Sequence, residues 1–318
     1  MARLFVTLQY LLPHHWLCRL AYSATRARGA WLKNRLIRAF VRHYRPRMHE
    51  ALEPDPLRYE SFNALFTRAL RPGSRPLDPD PASVLAPCDG TLSIAATGGD
   101  PGEQLLQAKG HRYSLAALLA GDAHWSERLR GCAYATLYLA PCDYHRVHMP
   151  LSGQLCASWH VPGRLFSVNA ATTARVSGLF ARNERLVCLF ESDAGAFAVI
   201  LVGALFVGSM STVWHGEVTP WRARARSGGA GGPRRPAGAG RIHQLQPSTA
   251  VDPWQARGAE LGRFNMGSTV ILLLPAGSVD WDATRRPGSA VEVGMALGRL
   301  RGARAGLAGL AGSPVSAS

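Results

Sequence analysis

Arg263-Phe264-Asn265-Met266-Gly267-Ser268-Thr269-Val270-Ile271 runs without interruption into Leu272-Leu273-Leu274. A polar turn holding Gly267, Ser268 and Thr269 opens directly onto the apolar run Val270 to Leu274, the pattern of a buried strand. Working outward, short apolar runs cut by glycine and proline recur at Val84–Ala86, Thr91–Ala95, Ala133–Ala140, Gly153–His160, Leu186–Glu191, Phe197–Phe206 and Thr212–Val218. They predict a mainly β core. Ser114–Leu119 reads as a short helix at its edge, entered through Gly110-His111-Arg112-Tyr113.

A serine at such a junction ordinarily only bonds nearby backbone. Two earlier stretches raise its interest: Ala86-Pro87-Cys88-Asp89-Gly90 supplies an acid, and Tyr144-His145-Arg146-Val147-His148-Met149-Pro150 supplies histidines. Serine is a poor nucleophile until a base takes its proton, and imidazole has the pKa for that task near neutrality. A carboxylate behind the ring fixes its tautomer, so Asp89, His148 and Ser268 form a candidate triad. His145 and His148 stand three apart, which puts them on one helical face or on opposite sides of a strand. As a metal pair they lack an evident third ligand.

The chain of 318 residues is 47% hydrophobic, enough to bury one large domain or two modest ones, and its formal charge is +15. No acid precedes Glu50, whereas ten Arg and Lys residues do. Leu32, Leu36, Ile37, Phe40, Val41 and Tyr44 recur near helical spacing among arginines, which predicts a basic amphipathic helix. Trp16, Tyr22 and Trp31 suit a lipid headgroup boundary, so residues 1–50 read either as a surface-bound anchor or as a helix packed on its own domain with a solvated basic face. No nucleic-acid motif accompanies the charge. The six cysteines show no paired spacing and fit reduced thiols in a cytosolic setting. Lys33 and Lys109 are the only lysines, which leaves few candidates for a pyridoxal phosphate Schiff base. No apolar run reaches the ~20 residues of a spanning helix.

These features predict an α+β chain: N-terminal amphipathic helices and a connector over residues 1–80, a β-rich catalytic domain over 81–298, and a flexible tail over 299–318. Tyr59–Leu70 reads as a short helix in the connector, and the Gly-Arg-Pro stretch 222–241 as a mobile loop.

Five motifs in order, Ala-Pro-Cys-Asp-Gly (86–90), Leu-Gln-Ala-Lys-Gly-His-Arg-Tyr-Ser-Leu (106–115), Asp-Tyr-His-Arg-Val-His-Met-Pro (143–150), Phe-Ala-Arg-Asn-Glu-Arg (180–185) and Arg-Phe-Asn-Met-Gly-Ser-Thr-Val-Ile (263–271), resemble the bacterial phosphatidylserine decarboxylase proenzymes. Gln9–Pro13 and Phe62–Arg68 extend the resemblance over nearly the whole chain. It implies that Ser268 attacks the carbonyl of Gly267 and cuts the chain there, leaving a β chain (1–267) and an α chain (268–318). The α chain then starts with a pyruvoyl group made from Ser268, which forms a Schiff base with the substrate amine. The resemblance assigns His148 as the base, Asp89 as its orienting acid, and His145, supported by Asp143, as the proton donor in decarboxylation; it implies no metal. Glycine at 267 is expected because a residue without Cβ admits the hydroxyl and tolerates strained backbone.

The implied partners are phosphatidylserine and an anionic membrane surface, with the α and β chains as a heterodimer that can dimerise further, on the cytoplasmic side of the cell membrane and without nucleic acid. Met266 stands where the family most often has Leu, a swap of similar volume. The Gly-Arg-Pro stretch replaces a better-defined segment, and slower self-cleavage is expected if that segment positions the turn. Two other readings use the same residues. A serine hydrolase would employ the same three groups, but the Gly-x-Ser-x-Gly elbow is absent around Ser268. A basic membrane- or nucleic-acid-binding protein would leave Ser268 as a turn residue.

Overall fold

Val270, Ile271, Leu272, Leu273 and Leu274 have no exposed surface, because the strand that they form is covered on both faces and hydrogen-bonded on both edges. The computed structural model describes residues 6–7, 9–10, 12–97, 104–108, 111–206, 209–218, 242–245 and 251–302. Within it, Ser268–Leu274 pairs antiparallel with Ala133–Leu139 on one side and Gly195–Gly203 on the other. It lies inside a nine-stranded sheet, flanked beyond those neighbours by Arg185–Ser192 and Gly153–Val161 on one wing and Gly90–Thr97 and Ala290–Val291 on the other. Burial on both faces explains a continuous apolar run where a half-exposed strand would alternate.

The longest helices precede the strands, the expected α+β order, and four short ones lie between strands among the described residues. Helices α1 (His14–Thr25) and α2 (Ala30–Tyr44) are followed by the short α3 (Phe62–Phe66). Ile37 and Phe40 of α2 pack against Phe62, Leu65 and Phe66 to make a second, smaller core. The opposite surface leaves Trp31 76% and, on α1, Trp16 60% exposed. Packing of the helix on its own domain therefore holds, and the face opposite is exposed. No helix among the described residues is long and apolar enough to cross a membrane.

Several boundaries move. Tyr59–Leu70 shrinks to α3, because Ser61 caps its start by accepting from Ala64 N at 3.1 Å while Leu70 is drawn into a bridge with Ala51. Thr212–Val218 divides into Met210–Thr212 and Gly216–Val218 around a turn at residues 213–215. The short helix expected over Ser114–Leu119 forms as Leu115–Leu118, capped by Ser114, and the residues that lead into it, His111–Ser114, are themselves a strand paired with Gln104–Ala108. Arg299 and Leu300, placed at the start of a tail, end the strand Ala296–Leu300 and pair with Ser83 and Val279. The stretch 222–241 and residues 303–318 lie outside the described residues.

Candidate active site

Glu260–Phe264 and Ser268–Leu274 belong to different sheets, and Asn265, Met266 and Gly267 carry the chain from one to the other. The crossing is held tightly. Asn265 donates from its backbone N to the Ser209 carbonyl at 3.0 Å and from Nδ2 to the Ser209 and Ser211 hydroxyls at 2.9 and 3.1 Å. Its Oδ1 accepts from Asn63 Nδ2 at 3.1 Å, which ties the crossing to α3. Met266 packs against the small core of α2 and α3. Between these anchors Met266 adopts φ +116°, a conformation that costs a residue with a side chain ~1–3 kcal/mol. Gly267 has no positive φ, and a Cβ built on it meets nothing within 4 Å. The strain expected at Gly267 thus sits one residue upstream, and among the described residues nothing crowds the place where a Gly267 side chain would stand.

The strand Arg146–His148 runs antiparallel to Glu260–Phe264, with His148 opposite Glu260. Phe264 N donates to the His145 carbonyl at 3.0 Å, so His145 marks the end of this pair from which the chain enters the Met266 turn. His145 is fully buried, its ring centroid 4.0 Å from that of Phe66. Its Nδ1 lies 2.9 Å from the Asp143 carbonyl, which only accepts, so Nδ1 carries the proton and Nε2 is bare. Among the described residues Nε2 has no partner. Burial pushes this imidazole down to about 3, with the nearby Arg68 cation adding to the effect and the Asp143 carbonyl opposing it. Asp143 supports His145 through its backbone, since its carboxylate turns away to accept from Ala140 N at 2.7 Å.

His148 has both ring nitrogens engaged. Nδ1 donates to the Gly258 carbonyl at 2.9 Å, which leaves Nε2 to accept from the Tyr144 hydroxyl at 3.2 Å. Its pKa is also lowered, chiefly by burial, while the Gly258 carbonyl and Glu260 pull the other way. Among the described residues no three His, Cys, Asp or Glu side chains gather into a group that could hold a metal ion.

Asp89 is not hydrogen-bonded to His148; the carbonyl of Gly258 occupies the position expected for it. Its carboxylate, 1% exposed, accepts from Arg75 Nε at 2.9 Å and Nη2 at 2.6 Å, from Arg47 Nη2 at 3.2 Å and from Val293 N at 2.9 Å. Arg75 also reaches Glu50 at 2.7 Å, and Arg47 reaches Glu50 and Glu292. Gly90 lets this loop press on the sheet: its φ is +150°, and a Cβ there would stand 2.2 Å from the Tyr138 carbonyl oxygen. Asp89 and His148 are still neighbours, because His148 N donates to the Pro87 carbonyl at 2.7 Å. Nothing in the sequence marks Arg47, Arg75 and Glu292 as site residues, since they resemble any other surface charges. The one available signal was that Glu50 is the first acid in a strongly basic stretch.

Because the folded pKa of His145 lies below its unfolded value of ~6.5, the unfolded chain binds the extra proton first as pH falls. The His145 contribution to stability is therefore complete above pH ~6.5 and lost on descending toward about 3. We expect the urea midpoint of the uncut Ser268→Ala chain to fall across this window, and the fall to be shallower in Ser268→Ala/His145→Gln. Equal slopes for the two chains would contradict a neutral, buried His145.

Comparison with known proteins places this geometry in context. A family model described as phosphatidylserine decarboxylase matches residues 62–299, and a second described as PSD matches residues 4–45. The chain is 48% identical over 299 residues to a protein of Methylococcus capsulatus, covering 94% of this chain and 97% of the relative. It is 47% identical over 298 residues to one of Azotobacter vinelandii, covering 93% and 98%. A protein of Ectopseudomonas mendocina is 48% identical over 299 residues, with 94% and 99% covered. Each of these relatives is named phosphatidylserine decarboxylase proenzyme. Matched across both its helical and its β-rich parts, the chain belongs to the phosphatidylserine decarboxylase family.

Proposed function

We propose that this chain is the proenzyme of a phosphatidylserine decarboxylase that cuts itself between Gly267 and Ser268. The observation that carries the reading is the strained Met266 immediately ahead of a Gly-Ser bond, at the mouth of the central strand, in a chain whose relatives are named proenzymes. Attack of the serine hydroxyl on the Gly267 carbonyl would convert the amide to an ester. Elimination then frees the Gly267 carboxylate and leaves dehydroalanine at residue 268, which water converts to a pyruvoyl group with release of ammonia.

The residues present fit such a group, since among the described residues nothing crowds Gly267 and a bare, buried imidazole nitrogen stands near the turn. When formed, it supplies a carbonyl that takes the substrate amine and accepts electrons as carbon dioxide leaves. The α chain would begin inside the central strand, between Ala133–Leu139 and Gly195–Gly203 of the β chain. Two ladders of hydrogen bonds then hold the heterodimer together after the cut.

For the proton transfers we propose His148 as the base in self-cleavage, positioned by the Gly258 carbonyl and the Tyr144 hydroxyl, and His145 as the proton donor in decarboxylation. Asp89 serves maturation by holding the Arg75 and Arg47 network in place. A second reading gives the base role to His145. It is favoured by the register, which sets His145 nearer the turn, and by its unprotonated Nε2. Donation by His145 at neutral pH also requires that the ring first take up a proton, because it is neutral in the uncut chain.

Trp16, Leu20 and Trp31, exposed beside the arginines of α1 and α2, suit peripheral attachment to an anionic bilayer. A two-tailed substrate leaves the membrane only at ~0.8 kcal/mol per exposed methylene. The enzyme should therefore come to the lipid.

Three measurements check these assignments. Intact mass of the wild type should show chains ending at Gly267 and starting at residue 268, the smaller lighter by one ammonia than a serine-started peptide, while Ser268→Ala stays whole. By intact mass His148→Gln should remain uncut and His145→Gln should be cut, and the cut His145→Gln should release little carbon dioxide from phosphatidylserine; an uncut His145→Gln beside a cut His148→Gln would favour the second reading.

Replacing the strained residue tests the turn. Met266→Gly should slow self-cleavage about tenfold, the rate equivalent of ~1.4 kcal/mol of released strain, whereas Met266→Leu should cut at the wild-type rate. Finally, a Trp16→Ala/Trp31→Ala chain should bind anionic vesicles at least ~tenfold more weakly, and retained binding would remove the anchor role from these helices.

A further inference from the structure

Between the helical layer and the four-stranded sheet runs a cleft of about 490 Å³ lined by five arginines: Arg26, Arg28, Arg68, Arg146 and Arg263. A second hollow of about 500 Å³ shares Arg26, Asn63, Thr67 and Arg263 with it and reaches Asn265, next to the Met266 turn. Four of the five arginines have carboxylate partners. Arg26 pairs with Glu217, Arg28 with Glu60 at 3.1 Å, and Arg146 and Arg263 with the two oxygens of Glu260 at 2.7 and 3.0 Å.

Arg68 is different. It is only 3% exposed, it forms no salt bridge among the described residues, and only its Nη2 is engaged, donating to the Cys142 carbonyl at 3.0 Å. Its Nε and Nη1 are buried without a partner among the described residues. A guanidinium cannot shed its proton to escape burial, and an unpaired buried charge is costly to keep. Such a group has two donors with which to make charge-assisted hydrogen bonds to an anion.

Its surroundings indicate which anion. Arg68 follows by two residues Phe66, whose ring contacts that of His145, and its Cys142 partner precedes Asp143, whose carbonyl holds His145. The cleft also opens beside Arg26 and Arg28, which join the two helices that carry the exposed Trp16 and Trp31. We propose that Arg68 anchors the phosphodiester of a glycerophospholipid headgroup, its Nε and Nη1 donating to the phosphate oxygens. This rests on the decarboxylase reading and adds to it the residue that registers the headgroup against the reacting turn. The phosphodiester is favoured over the serine carboxylate because a guanidinium on the departing carboxylate would stabilise the ground state against loss of carbon dioxide. A phosphodiester keeps the same contacts in substrate and product.

The test is a binding titration on the full-length Ser268→Ala chain, which cannot be cut. The probes are dihexanoyl phosphatidylserine, dihexanoyl phosphatidylethanolamine, which has the phosphodiester but no carboxylate, and inorganic phosphate. Adding Arg68→Gln should weaken both lipids by about tenfold or more and to the same extent. Inorganic phosphate should compete with the lipids only when Arg68 is present. Affinities unchanged by Arg68→Gln would overturn the proposal, as would a loss confined to the serine lipid, which would make the bound anion the carboxylate. Should Arg68→Gln fail to fold, Arg68→Lys decides, since it keeps the charge and loses the fork: equal weakening of both lipids supports the proposal, and unchanged affinities overturn it. Binding is read without turnover, so absence of carbon dioxide release by the wild type would count against the decarboxylase reading alone.

Discussion

The strand Ser268–Leu274 is hydrogen-bonded along both edges and buried on both faces, and the other features of the molecule follow from its position. Its first residue sits where the chain leaves one sheet for another, so the crossing has only Asn265, Met266 and Gly267 in which to turn. Rigid attachments at both ends of so short a crossing force Met266 to φ +116°. A longer connection would relax, and the Gly267–Ser268 bond would lose the conformational stress beside it. The same burial means that a cut at residue 268 leaves the C-terminal piece clamped between two strands of the N-terminal piece.

A second clamp lies at Asp89. Its carboxylate gathers Arg75 and Arg47 from the connector and the backbone of Val293 from beyond the central strand. Glu50 and Glu292 balance the two guanidinium groups. A buried pair of this kind is sensitive to loss of one partner, since the remaining charge stays buried and uncompensated. Asp89 therefore has a demanding structural role whether or not it also influences His148, to which no hydrogen bond connects it. The two histidines illustrate how strand geometry separates neighbours in sequence. Three residues apart on and beside a strand, they meet different surroundings: one packs on an aromatic ring with a bare nitrogen, the other is held by a carbonyl and a tyrosine hydroxyl.

The β core was legible because its signals are local. Apolar runs between glycine and proline marked most of the large sheet, and the junction before Val270 marked its central strand. The pairs Gln104–Ala108 with His111–Ser114 and Val279–Trp281 with Ala296–Leu300 were not legible. Their strands are short and mix polar with apolar residues, so pairing partners rather than periodicity make them strands. Asp89, His145, His148 and Ser268 drew attention through residue type and spacing. Arg68 did not, because an arginine in a basic chain carries no sign of being unpaired.

By itself the sequence determined the α+β order, the identity of the central strand, the family and the small set of residues around the Gly267–Ser268 junction. Those properties rest on local pattern and on motifs read in order. The tertiary structure alone decided that Asp89 bonds Arg75 and Arg47 and not His148, that the strain falls on Met266 and not on Gly267, that His145 is buried and neutral, and that Arg68 has no acid partner among the described residues. Each of these depends on which distant groups share one small volume after folding, and burial there changes what a charge, a proton or a backbone angle costs.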